Sequence, residues 1–141
     1  MKIKFIRNSI GLLLLGTLLC ATDCGSSESV VLTIKNESGK PIKIKSYKDK
    51  ILQKTIDLRI KEEYSKTYYS IRGSTVLPHE IFGADSGPII DSLIIVYDNY
   101  KKKSWKIKDD YLLDVFDSST NSFVFKVEDY ENAVDCNGAC E

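Results

Sequence analysis

The stretch Ser92-Leu93-Ile94-Ile95-Val96-Tyr97 decides the fold, because it is apolar on both faces and is bounded by aspartates. A short apolar run between turn-forming residues is typical of a fully buried strand. We therefore predict that it forms the central strand of a sheet. Residues 98–101 then favour a turn, so the next run, Ser104-Trp105-Lys106-Ile107, is predicted to return beside it.

Outward from this strand, short alternating runs predict a mainly β domain. Val30, Leu32 and Ile34 alternate with other residues, and the pattern resumes at Ile42 and Ile44 after an Asn/Gly turn, which predicts a β-hairpin. Further strands are predicted near 56–60, 64–71 and 123–127, and a helical turn within 128–134. About seven strands with turns between them favour an antiparallel β-sandwich or a small open barrel with a short C-terminal helical turn.

Residues 77–88 are rich in turn formers and are predicted to be a loop. This loop contains His79, the only histidine of the chain, between Pro78 and Glu80. The expectation is that His79 is a solvated turn residue. A single histidine also argues against catalytic triads and against metal sites built on histidine.

The N-terminus has the order of a secretory signal. Lys2, Lys4 and Arg7 precede an apolar run from Ile10 to Leu19 that is shorter than the roughly twenty residues needed to cross a bilayer. The segment resembles a bacterial lipoprotein signal, in which a short apolar or small tripeptide precedes a lipidated cysteine. That resemblance implies lipid attachment at Cys24, after Ala21-Thr22-Asp23, or alternatively at Cys20.

These features divide the chain into a signal peptide (1–23), a flexible tether (24–29) and a single β-rich domain (30–141). Covalent acyl chains contribute roughly 0.8 kcal/mol for each buried methylene, so two or more make attachment effectively stable. Plain secretion or a periplasmic location is the alternative.

Export changes how Cys136 and Cys140 are interpreted, because thiols outside the cytoplasm tend to oxidise in pairs. Asn137 and Gly138 lie between them and favour a tight turn. We predict a local disulfide that fastens the C-terminus. Unpaired thiols and metal or redox chemistry are the alternatives, but a zinc site needs four ligands.

Without residues 1–23 the chain has a net charge of about minus two, which gives no reason to expect nucleic-acid binding. No cofactor, metal or catalytic motif is recognisable, so the expected role is not enzymatic. The segment 101–108 is the most suggestive for binding. Its lysines are a candidate contact with anionic headgroups or glycans, or else a solvated edge protected from pairing: Lys101, Lys102, Lys103, Lys106 and Lys108.

Three features together resemble small uncharacterised lipoproteins of Bacteroidota: the leader with the strand 32–36 and its turn to Gly39, the strand 91–99, and the ending 123–133. The resemblance implies an outer-membrane lipoprotein and carries over no catalytic residue. The predicted function is a membrane-anchored envelope protein that binds another envelope protein or a glycan or serves structurally. An inhibitor or toxin-immunity lipoprotein acting on an envelope-targeting enzyme is the alternative.

Overall fold

The computed structural model describes residues 28–70, 75–83, 89–107 and 114–140. The predicted signal peptide, both candidate lipid-attachment cysteines and Lys108 lie outside these residues. The strands are β1 Glu28–Glu37, β2 Ile42–Lys48, β3 Ile51–Leu58, β4 Glu63–Ser70, β5 Ser92–Tyr97, β6 Lys101–Lys106, β7 Phe116–Asp117, β8 Ser122–Lys126 and β9 Val134–Asp135. A 3-10 helix, Pro78–Phe82, and an α-helix, α1 Val127–Glu131, complete the described elements.

The strands form two sheets, and this confirms the predicted mainly β sandwich. Sheet A has the order β4-β1-β8-β7, and sheet B has the order β3-β2-β5-β6-β9. The described strands of neither sheet close into a barrel. Nine strands are described instead of about seven, because β7 and β9 are only two residues long and such short strands leave no alternating pattern in the sequence.

The predicted central strand is confirmed. β5 lies between β2 and β6 and pairs antiparallel with both. Leu93, Ile95 and Tyr97 are fully buried on the face that meets sheet A, and Val96 is buried as well. The predicted return of the chain after β5 is also confirmed, since β6 pairs with β5 from Tyr97↔Lys101 to Ser92↔Lys106.

The predicted hairpin between the first two strands is wrong. β1 belongs to sheet A, where it pairs antiparallel with β4 and parallel with β8, whereas β2 belongs to sheet B. Each of the two strands has one apolar face. That face is buried in the core whether the strands lie side by side in one sheet or in two facing sheets, so the alternating pattern does not distinguish the two arrangements. One strand pair of the sandwich, β1–β8, is parallel.

The predicted loop 77–88 begins with the 3-10 helix, which closes one end of the core. Ile81 and Phe82 are fully buried, and the Phe82 ring lies 4.7 Å from the Phe123 ring in an edge-on contact. His79 is only 1% exposed. The expectation of a solvated His79 is therefore wrong, because Ile81 and Phe82 are buried in the core and the short 3-10 helix that carries them also buries His79.

The two ends of the sandwich are called the near pole and the far pole. The near pole contains the start of β1, the β2–β3 turn, the 3-10 helix and residues 89–91. At this pole the Asp91 N–H donates a hydrogen bond to the Tyr47 carbonyl. The far pole contains residues 36–40, 59–62, 98–100 and 136–140. At this pole the Asp98 N–H donates a 2.9 Å hydrogen bond to the Pro41 carbonyl, which joins the β5–β6 turn to the start of β2.

Candidate functional site at the far pole

The predicted disulfide joins Cys136 to Cys140, with Cα atoms 5.4 Å apart. Asn137 and Gly138 have positive φ values of 51° and 145°, so the chain reverses tightly between the two cysteines. The Cys136 N–H donates to the Tyr100 carbonyl, and the Cys140 N–H donates to the Asn99 carbonyl, both at 2.9 Å. The disulfide loop is thus fastened over the β5–β6 turn at the far pole.

The lysines of the segment 101–108, predicted as a candidate binding contact, are divided by the pleat of β6, because successive side chains of a strand point to opposite faces. Lys101 and Lys103 lie on the partly buried face with Trp105. Lys102 and Lys106 are exposed on the other face, and Lys108 is outside the described residues. The structure therefore does not bring the five lysines together on one surface.

The two lysines on the partly buried face have specific partners. The Lys103 ammonium lies 2.9 Å from the Asp129 carboxylate and 4.7 Å from the centre of the Trp105 ring. The Lys101 ammonium lies 4.0 Å from Asp135 and 5.0 Å from the centre of the Tyr130 ring. Through these contacts the two lysines hold α1 and β9 against β6. Both lysines therefore stabilise the packing of the far pole.

A buried tyrosine underlies this cluster. Tyr97 is fully buried with its ring 5.9 Å from that of Tyr130. Burial, assisted by the negative charge of Asp129, raises the pKa of the Tyr97 hydroxyl far above its usual value. Tyr97 therefore stays protonated and contributes packing rather than acid–base chemistry.

An open hollow of about 600 Å³ lies beside the β5–β6 turn at this pole. Its lining mixes charges of both signs with short apolar surfaces: Pro41, Ile42, Lys43, Asp57, Leu58, Arg59, Glu62, Val96, Asp98 and Asn99. The Arg59 N–H donates to the Glu62 carboxylate at 2.6 Å, which fixes the turn on which Arg59 stands. A hollow of this kind suits an extended polar segment of a partner better than a small apolar ligand.

The far pole also carries exposed apolar side chains outside the lining of the hollow. Tyr100 and Val134 are each 68% exposed, and Ile60 is 52% exposed. We call Arg59, Ile60, Tyr100 and Val134 the far-pole surface. The sequence does not predict this surface, because 40 residues separate Arg59 from Tyr100. Only the fold brings the β3–β4 and β5–β6 turns to the same end of the sandwich.

Within the described ranges, no group of three or more histidine, cysteine or acidic residues is arranged to hold a metal ion. No helix in the same part of the chain is long and apolar enough to span a bilayer. Burial lowers the pKa of His79, partly offset by the neighbouring Glu80 carboxylate, so His79 is neutral near pH 7. His79 is buried in the 3-10 helix at the near pole.

Comparison with known proteins adds no family to this description. A scan against protein-family models found no match, and searches of curated proteins and of solved structures found no significant match. The class of protein is therefore given by the fold and the site. It is a small two-sheet β-sandwich whose far pole carries a local disulfide, a hollow of mixed polarity and several exposed apolar residues.

Proposed function

We propose that this protein is a lipid-anchored, non-enzymatic binding protein of the bacterial cell envelope, attached to the outer membrane through Cys24. The observation that carries the proposal is the start of β1 at Glu28, only four residues after Cys24. Four extended residues reach at most about 14 Å. A lipid on Cys24 therefore keeps the near pole close to the bilayer.

The same geometry carries the far pole away from the membrane. β1 runs from the near pole to the far pole over ten residues, and at ~3.3 Å per residue it covers about 33 Å. The far-pole surface is then held outward on a rigid sandwich, where another envelope protein can reach it. A short tether and a rigid body favour recognition at a fixed height above the bilayer.

The makeup of the far-pole surface supports binding to a protein. Tyrosine and arginine are enriched among the residues that contribute most to protein–protein affinity, and Tyr100 and Arg59 are both here. Ile60 and Val134 add exposed apolar area at the same pole as the hollow. A central apolar contact with polar neighbours is the usual arrangement of a protein interface.

The lipid anchor is tested by labelling cells with a tagged fatty acid and separating membranes from soluble fractions. We expect the unchanged protein to be labelled and membrane-bound, and Cys24→Ser to be unlabelled and released. Cys20→Ser is the matched control and keeps its label if Cys24 is the anchor. If both variants behave like the unchanged protein, or if its mature N-terminus is an unmodified Ala21 or Thr22, the lipoprotein proposal fails.

Recognition is tested by placing a photo-crosslinking amino acid at Tyr100 or, as the control, at Tyr69. Both side chains are exposed, but Tyr69 pairs with Ser29 at the near pole. We expect a discrete cross-linked protein from position 100 only. A transporter or assembly subunit supports an envelope-binding role, whereas a single hydrolase or toxin supports the inhibitor alternative. Equal cross-linking from both positions contradicts recognition at the far pole.

A further inference from the structure

The near pole carries exposed apolar side chains where the proposed tether joins the domain. Ile51 is 66% exposed, Leu52 is 51% exposed and Ile89 is 59% exposed. Ile51 and Leu52 begin β3 at the tip of the β2–β3 hairpin, and Ile89 precedes β5. The two segments are adjacent, because the Asp49 N–H donates to the Asp91 carboxylate at 2.7 Å.

A tight turn at the hairpin tip sets the backbone positions of Ile51 and Leu52. Asp49 and Lys50 have φ values of 50° and 67°, which is the combination of a tight type I′ turn. Lys48 pairs directly with Ile51 across the turn. Ile51 and Leu52 are consecutive in β3, so their exposed side chains extend from opposite faces of the hairpin at the end of the sandwich.

Lysines flank the apolar residues. Lys50 and Lys106 are exposed, and the Lys48 ammonium lies 3.9 Å from the Asp49 carboxylate. Lysine side chains can lay their methylene stems along an apolar surface while the ammonium stays among polar headgroups. Asp49, Asp91 and Glu28 balance these charges, so contact at this pole depends on apolar area more than on net charge.

We propose that the near pole docks on the phospholipid bilayer, with Ile51, Leu52 and Ile89 seated at the boundary between headgroups and acyl chains. The inference rests on the proposed lipid at Cys24, which brings this pole within about 14 Å of the membrane. Interfacial protein segments bury their apolar side by roughly 5–10 Å. Docking sets the domain upright and directs the far-pole surface away from the bilayer.

The test uses the full-length lipidated protein in vesicles of phosphatidylethanolamine and phosphatidylglycerol, with or without brominated acyl chains that quench tryptophan. Ile51→Trp places the probe at the near pole. Tyr100→Trp is the matched control, since its position is equally exposed and lies at the far pole. The unchanged protein, with Trp105 as its only tryptophan, gives the reference emission.

The emission of each variant minus that of the unchanged protein reports the introduced tryptophan. We expect brominated lipid to lower this difference by about two-fold in Ile51→Trp, as for a side chain at the acyl boundary, and to leave it unchanged in Tyr100→Trp. Raising the salt concentration should not remove the effect, because the charges of this pole are balanced. Absence of quenching in Ile51→Trp, or equal quenching in both variants, overturns the docking proposal.

Flotation of the same vesicles separates this outcome from failure of the anchor. Protein that floats with the lipid but shows no quenching at position 51 is anchored without docking, so only the docking proposal fails. Protein that neither floats nor carries a fatty acid overturns the proposed function itself. Each variant is first checked by circular dichroism, and Leu52→Trp, next to position 51, replaces Ile51→Trp if that variant does not fold.

Discussion

The Asn36 side-chain amide donates a 2.9 Å hydrogen bond to the carbonyl of Arg59, and this bond ties the end of sheet A to the end of sheet B. The same amide group also donates to the Lys40 carbonyl at 2.7 Å, while its oxygen accepts from the Ser38 hydroxyl at 2.7 Å. Asn36 is 1% exposed. One buried side chain therefore satisfies backbone groups in two turns of the far pole.

Replacing Asn36 with alanine should lower the free energy of unfolding by about 2–3 kcal/mol, because buried carbonyl groups lose their donor. Urea denaturation followed by circular dichroism measures this change. Asn132→Ala is the matched control, since Asn132 is exposed at the end of α1, and we expect a change within about 0.5 kcal/mol. Equal effects of the two substitutions would show that the Asn36 network contributes little.

The sequence predicts the pairing of strands that are neighbours along the chain but not the pairing of distant strands. Strands such as β5 and β6 are visible because burial imposes a pattern on neighbouring residues, and the short turn after Tyr97 makes their pairing local. The partners of β1 are β4 and β8, which lie far along the chain. An Asn/Gly turn after an alternating run is compatible with a hairpin and with a change of sheet.

The candidate site was predictable only in its local parts. The disulfide was predicted because both cysteines and their turn lie within five residues. Residues 101–107 alternate between partly buried and exposed side chains, as expected of a strand, but the pairing of Lys103 with Asp129 depends on where α1 packs. Nothing in the immediate neighbourhood of Arg59 or Tyr100 indicates that the two share a pole.

Buried His79 predicts a specific dependence of stability on pH. Its pKa in the folded protein is lowered by burial, so the unfolded chain binds the proton more tightly. The stability it contributes is therefore present above the unfolded pKa of about 6.5 and is lost as pH falls below it, with a limiting slope of about 1.4 kcal/mol per pH unit. Urea denaturation between pH 7.5 and 5.5 measures this slope.

The matched variant is His79→Gln, which has no titrating group at this position. We expect it to be less stable at pH 7.5, because its packing differs, but to lose little further stability down to pH 5.5. The chain has no other histidine, and carboxylates titrate mainly below this range. A slope that persists in His79→Gln would mean that another group is responsible.

Phe82 should behave as a core residue, although the sequence predicts a loop for the segment that contains it. Its side chain is fully buried against Phe123, and the Phe82 carbonyl accepts a 2.7 Å hydrogen bond from the Ser46 hydroxyl. Phe82→Ala should lower the free energy of unfolding by about 3–5 kcal/mol. Thermal and urea denaturation measure this loss, and a change below about 1 kcal/mol would place Phe82 outside the core.

Loss of the disulfide should have a mostly local effect. Closing so short a loop contributes about 2 kcal/mol by the chain-entropy estimate, so the double variant Cys136→Ser and Cys140→Ser should still fold. Its backbone amides at 136 and 140 should exchange hydrogen faster, because β9 keeps only a two-residue pairing with β6. The Ile95 amide in the central strand is the internal control, and acceleration there as well would indicate global destabilisation instead.

Tyr100 should contribute strongly to partner binding if the far-pole surface is the recognition site. Its side chain is 68% exposed next to the turn fastened by Cys136, so its removal leaves the core unchanged. Truncation of a central tyrosine in an interface typically costs about 2 kcal/mol or more, which is roughly thirty-fold in affinity. Tyr100→Ala should therefore weaken binding to the partner identified by cross-linking by about this factor, whereas Tyr69→Ala, at the near pole, should leave it unchanged. Lipid labelling of both variants should match the unchanged protein, so a loss of binding in Tyr100→Ala cannot be attributed to the anchor; equal affinities of the two variants would move the recognition site away from this pole.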